Sequence, residues 1–141
     1  MGQEAKALRK VNAIIERASD GTYSIYSDAD DLSYLITGTG TTIDEAKKYF
    51  EGGYADMRRY YQEEGKPFTE VEMVYKYDMA SFLNYYTKAF SLAGLSRITG
   101  INQGQLSHYV TGRRVPSART KERMQKAIHA FAEDLHSVNF V

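Results

Sequence analysis

Residues 91–117 read SLAGLSRITGINQGQLSHYVTGRRVPS, and the punctuation of this stretch decides how the second half of the chain folds. Ser91 is a good N-cap, because its hydroxyl can accept a backbone proton that the first helical turn leaves unpaired. Leu92, Leu95 and Ile98 then recur at helical spacing up to Thr99. Gly100 stops that helix, since glycine reaches the left-handed conformation of a sharp helix exit without a Cβ clash. Ile101 is apolar and Asn102 is a second N-cap. Residues 103–111 are predicted to form a short second helix that turns Leu106 and Tyr109 inward and ends at Gly112. Two short helices at a wide angle, joined by a turn that opens on glycine, have the geometry of a helix-turn-helix.

Working outward, Pro116 and Ser117 precede a last helix with Met124, Ala127, Ile128, Phe131 and Leu135 on its apolar face. Upstream, Asp78 or Ser81 is placed to cap a helix carrying Phe82, Tyr85, Tyr86, Ala89 and Phe90 on one stripe. Residues 79–138 therefore read as an all-α domain. Its charge is distinctive: the whole chain has 18 Lys and Arg against 18 Asp and Glu, yet residues 79–141 carry 8 against 3, a balance of +5. Residues 1–78 carry 10 against 15, a balance of −5. Such asymmetry between halves suggests two modules with different partners, one of them an anion.

The pattern of residues 91–117 resembles the Cro/lambda-repressor type of helix-turn-helix, on Leu95, Ser96, Thr99, Gly100, Ile101, Leu106, Ser107, Tyr109 and Gly112. The resemblance implies that double-stranded operator DNA meets the start of the second helix in its major groove. The residues concerned are Asn102, Gln103, Gly104 and Gln105, followed a turn later by Ser107, His108 and Thr111. A glutamine amide can donate to adenine N7 and accept from adenine N6, so Gln103 is the candidate base reader. Ser107 and the amides at the helix start suit phosphate oxygens. Gly104 is unusual, because glycine costs about 1 kcal/mol relative to alanine inside a helix; close approach of backbone to DNA and fraying of the first turn are both open readings. Arg113 and Arg114, with Arg119, Lys121 and Arg123, would line a phosphate-contacting flank, unless one of the pair is engaged by Glu122. A monomer of this class reads about half a site, so a homodimer or larger oligomer is expected. Tyr60-Tyr61, Tyr85-Tyr86 and the last helix are candidate contacts.

In the acidic half, residues 11–18 and 22–27 are β-prone and are joined by Ser19-Asp20-Gly21, a hairpin signal. A third strand is expected over 33–40, after the acidic turn Asp28 to Asp31. Thr42 and Glu45 have capping-box spacing, and Ala46, Phe50, Gly53, Met57, Tyr60 and Tyr61 form one face of the helix that follows. Beyond Gly65-Lys66-Pro67, Val71, Met73, Tyr75 and Tyr77 alternate as in a strand. The expected class is α+β: residues 1–10 as a tail, 11–78 as a small antiparallel βββαβ domain, and 79–138 as the all-α helix-turn-helix domain.

That order, with Asp20-Gly21, Tyr23, Asp28, Gly38 and Glu45-Ala46, resembles the N-terminal domain of HicB antitoxins, which is similar to a reduced ribonuclease H fold. The family's Pro-Asp-Leu-Pro-Gly loop is replaced here by Ser27-Asp28-Ala29-Asp30-Asp31-Leu32, which has no proline. The resemblance implies an antitoxin of a type II toxin-antitoxin system that sequesters a small basic HicA-like ribonuclease toxin and represses its own operon. The alternative is a stand-alone helix-turn-helix regulator whose N-terminal domain dimerises or senses a ligand. No catalytic activity is expected. Two-metal nuclease chemistry needs carboxylates that converge on ions about 4 Å apart, whereas Asp28, Asp30 and Asp31 are neighbours on an extended segment and point to alternate sides. His108, His129 and His136 lack metal-ligand spacing and cysteine is absent, so neither a metal nor another cofactor is expected. No apolar run approaches a membrane span, and no apolar region follows the basic residues of MGQEAKALRK, so a cytoplasmic protein is expected.

Overall fold

The computed structural model describes residues 7–141. In chain order its elements are β1 (Arg9–Arg17), β2 (Tyr23–Asp28), β3 (Thr37–Gly40), α1 (Ile43–Glu63), β4 (Val71–Tyr77), α2 (Met79–Tyr86), α3 (Leu92–Thr99), α4 (Gln103–Val110) and α5 (Ala118–His136). The chain divides after Asp78 into two compact units. The class is α+β, with one four-stranded sheet and five helices. Of the tail expected over 1–10, residues 1–6 lie outside the described residues. Arg9 and Lys10 belong to β1, beside Val71 and Glu72 of β4, which corrects the start of the first strand.

The sheet order is β3-β2-β1-β4. β1 with β2 and β2 with β3 are antiparallel, as expected, but β4 runs parallel to β1, so the sheet is mixed and not antiparallel. The reason lies in α1. Its 21 residues, about 31 Å of helix, return the chain across one face of the sheet. The strand after α1 therefore runs in the same direction as the strand before it, as strand-helix-strand connections do. Alternate residues Val11, Ala13 and Ile15 of β1, and Tyr23, Ile25 and Ser27 of β2, are buried on the face that α1 covers with Ile43, Ala46 and Phe50.

At Gly38 the sheet and α1 meet backbone against backbone. A Cβ at Gly38 would lie 2.5 Å from the Ala46 carbonyl oxygen and 2.5 Å from the Phe50 nitrogen. Only glycine lets β3 approach α1 so closely. The helix starts where the capping box placed it, with Thr42 Oγ1 accepting from the Glu45 amide at 3.1 Å. The reciprocal half differs, because the Glu45 carboxylate accepts from the Thr41 hydroxyl, at 3.2 Å, and does not reach back to the Thr42 amide.

β3 is half its expected length, and a side chain is the cause. The buried Ser27 hydroxyl takes the Ile36 amide proton at 3.0 Å, in place of a backbone partner. Residues 33–36 are held by aromatic packing. The Tyr34 hydroxyl donates to the Thr69 carbonyl at 2.5 Å, its ring stacks on Phe68 with centroids 4.8 Å apart, and Tyr54 and Tyr61 meet it edge-on. Burial, reinforced by Tyr54, pushes the Tyr34 phenol up to about 12. In the hairpin, Asp20 accepts from the Thr22 hydroxyl and amide, at 2.6 and 2.9 Å, and these bonds hold its carboxyl below the usual range.

The second unit packs Leu83, Leu95, Ile101, Leu106, Tyr109 and Met124 into one core. Of the stripe expected along α2, Phe82 and Phe90 pack against this core, but its centre is Leu83, which the stripe omitted. Leu83 is fully buried while Phe82, Tyr85 and Tyr86 are half-buried, and the helix ends at Tyr86, whose carbonyl accepts from Ala89 and Phe90. Met124 anchors α5, but Leu135 is exposed because the helix outruns the core. Among the described residues no helix is long and apolar enough to cross a membrane.

Gly38→Ala should destabilise the protein by about 3 kcal/mol, the upper part of the range for overpacking, because two backbone segments would have to separate. Gly52→Ala is the control: apart from its chain neighbours and its own helix backbone, nothing lies within 4 Å of its would-be Cβ, so helix propensity should stabilise by up to about 1 kcal/mol. Urea unfolding of the two variants measures both.

Candidate nucleic-acid interface

The local chemistry of residues 91–117 sets the pose of α4. Ser91 Oγ accepts from the Gly94 amide at 3.0 Å and starts α3. Thr99 is buried; its hydroxyl donates to the Leu95 carbonyl at 2.7 Å and accepts from the Ile101 amide at 3.2 Å, which ties both sides of the turn together. Gly100 lies between them with φ of 72°, and its amide closes α3 on the Ser96 carbonyl at 2.8 Å. Ile101 is buried under the turn. Asn102 then caps α4, its Oδ1 accepting from the Gly104 amide at 2.8 Å.

Leu106 and Tyr109 point into the core, so the 3.6-residue period assigns the opposite face of α4 to Gly104, Ser107, His108 and Thr111, flanked by Gln103 and Gln105. The nine candidate residues divide by what their side chains already do. Gln103 is exposed, and no described residue bonds its amide. Gln105 is also exposed, but its Nε2 donates to the Tyr109 hydroxyl at 2.7 Å. Asn102 is committed to capping. The Thr111 hydroxyl donates to the carbonyls of Ser107 and His108 at 3.3 and 3.2 Å. Ser107 is exposed and His108 half-buried.

Gly104 acquires a physical account. It is helical, not frayed, and sits mid-face where a side chain would fill the space between Gln103 and His108. A Cβ there would stand 3.0 Å from Asn102 Oδ1, crowding the atom that caps the helix.

Arg113 and Arg114 are exposed beyond the end of α4 and form no ion pair with a described residue. Glu122, the partner considered for one of them, pairs with Lys126 at 3.0 Å. Arg119, Arg123 and Lys126 line a shallow polar concavity along α5 with Thr120 and Glu122. Arg123 also braces the turn. Its Nη2 donates to the Gly100 carbonyl at 3.3 Å, placing a cation at the exit of α3, where the helix dipole favours positive charge. One positioning residue was missed in the sequence. Asn84 Nδ2 donates to the Ala80 carbonyl at 2.8 Å and to the Val110 carbonyl at 3.3 Å, so α2 holds the last carbonyl of α4. An amide within the otherwise apolar run SFLNYY was the available signal.

The acidic turn of the first unit is built differently from a metal site. Arg9 grips Asp31 through two hydrogen bonds, at 2.7 and 2.6 Å, and holds its carboxyl below the usual range. Asp28 and Asp30 are exposed, and no three His, Asp or Glu side chains among the described residues are grouped so as to hold a metal ion. The Arg9–Asp31 pair is itself exposed, so it orients the loop more than it stabilises the fold. No protein-family model, curated protein or solved structure matches this chain.

Asn102→Ala should cost about 1 kcal/mol, the ordinary value of a lost N-cap, while Asn102→Asp should retain most of that stability. Thermal unfolding of the two variants checks the assignment.

Proposed function

We propose that residues 79–141 bind double-stranded DNA through the exposed face of α4 and that the protein is a HicB-type antitoxin, repressing its own operon and sequestering a HicA-like ribonuclease toxin through residues 7–78. The observation that carries the DNA reading is the pairing of a rigidly capped α4, whose Gln103 amide is unengaged, with the uncompensated cations Arg113 and Arg114 at its end. Base edges in the major groove need a preset amide, and phosphates need cations that no carboxylate has neutralised. The bare backbone at Gly104 supports the same reading, since it lets the helix lie close against the groove.

The toxin reading is supported by the −5 balance of the first 78 residues, which complements a cationic RNA-binding protein, and by the strand-strand-strand-helix-strand order of that unit. On this reading the chain has no catalytic role of its own, and its acidic turn is a loop braced by Arg9. Co-purification with the product of the adjacent gene, followed by a footprint on the shared promoter, tests both halves. Binding to the promoter without capture of a basic partner would favour a stand-alone regulator.

Gln103→Ala should weaken binding to the cognate operator by about 1 to 3 kcal/mol and leave non-specific DNA binding nearly intact. Arg113→Ala or Arg114→Ala should weaken all sequences alike and lower the slope of log affinity against log salt by roughly one. Fluorescence anisotropy over a salt series on operator and scrambled duplexes separates the two classes.

A further inference from the structure

The sheet has two edges of different character. β3 is a four-residue strand of threonine and glycine, too short to template much pairing, whereas β4 offers seven residues. Along β4, main-chain groups alternate between facing β1 and facing outward. The Asp78 amide bonds the Ile15 carbonyl, so Glu72, Val74 and Lys76 face β1. Val71 therefore faces outward, and the Tyr54 hydroxyl accepts from its amide at 3.0 Å and donates to its carbonyl at 3.3 Å. Tyr54 closes the head of the edge. Met73 and Tyr75 also face outward, and no described residue bonds their main-chain groups.

Side chains along this edge are self-complementary about Val74. The segment reads Glu72-Met73-Val74-Tyr75-Lys76. If a second copy adds antiparallel with the two-fold axis at Val74, Met73 of each chain stands opposite Tyr75 of the other and both pairs exchange main-chain hydrogen bonds. Val74 meets Val74, a β-branched pair. Glu72 of each copy meets Lys76 of the other on the face away from α1, and both side chains are exposed. On the α1 side, the edge borders a groove lined by Phe50, Glu51, Tyr54, Val71, Met73 and Tyr75. The added Met73 and Tyr75 would cover it. Tyr75 is already preset there, its hydroxyl donating to Glu51 at 2.9 Å and its ring meeting Phe50 edge-on.

We propose that β4 is a homodimerisation edge and that two copies join their sheets into one of eight strands through antiparallel pairing centred on Val74. This pairing does not rest on the DNA-binding reading, because every residue it uses belongs to the first unit.

The test is charge exchange across the axis, read by sedimentation equilibrium of the full chain at low salt without DNA. The wild-type chain should self-associate as a dimer. Glu72→Lys and Lys76→Glu, each of which places like charges opposite at both ends of the pairing, should each weaken it on the order of tenfold. Mixing the two variants should restore a heterodimer, since every cross-axis pair is again of opposite charge; the double exchange within one chain should restore the homodimer. Circular dichroism should show all variants folded. A monomeric wild-type chain would overturn the proposal. So would single reversals that leave association unchanged, or a mixture of the two variants that fails to associate.

Discussion

A strand and a helix lie backbone to backbone at Gly38, and the architecture of the first unit depends on that contact. With no Cβ between them, β3 can press against Ala46 and Phe50. Phe50 is thereby carried over the sheet, where it is buried and meets Tyr75 of β4. The same helix turns the chain around, so β4 returns in the direction of β3 and pairs in parallel with β1. One edge of the sheet is consequently a seven-residue strand whose outward groups Tyr54, on the same helix, caps only at its head.

In the second unit the corresponding constraint is the turn at Thr99, Gly100 and Ile101. A buried hydroxyl bridges the two helices, a left-handed glycine redirects the chain, and a buried isoleucine plugs the space beneath. These three residues fix where α4 begins. Arg123 and Asn84 then brace it from α5 and α2, at Gly100 and at Val110. α4 is thereby held at both ends. The side chains left over, Gln103 on the flank of the exposed face and Arg113 and Arg114 at the exit, are those with no internal role.

The parts legible in the sequence are those whose physics is local. Ser91, Thr42 and Asn102 cap the helices expected of them, and Gly100 terminates α3 in the left-handed conformation. Leu106 and Tyr109 are buried where their spacing put them. Errors arose where one residue outranks a pattern. Ser27 shortens β3 by taking a ladder amide, and Leu83, absent from the stripe read along α2, is the one residue of that helix fully buried in the core that Phe82 and Phe90 flank. The parallel partner of β4 was within reach, because a strand-helix-strand connection fixes relative direction, but which strand it would pair with depends on the order of the whole sheet.

By itself, the sequence determined the elements, their caps and the separation of acidic from basic halves, since these follow from hydrogen bonds within a few residues and from composition. Only the tertiary structure decided which polar side chains remain available. Gln105 is occupied by Tyr109 within its own helix, whereas Arg123 is drawn to Gly100 and Asp31 to Arg9 across 23 and 22 residues of chain. Partners so far apart in sequence meet only through packing, whereas the Gln105–Tyr109 bond spans one helical turn and separates Gln105 from Gln103 locally.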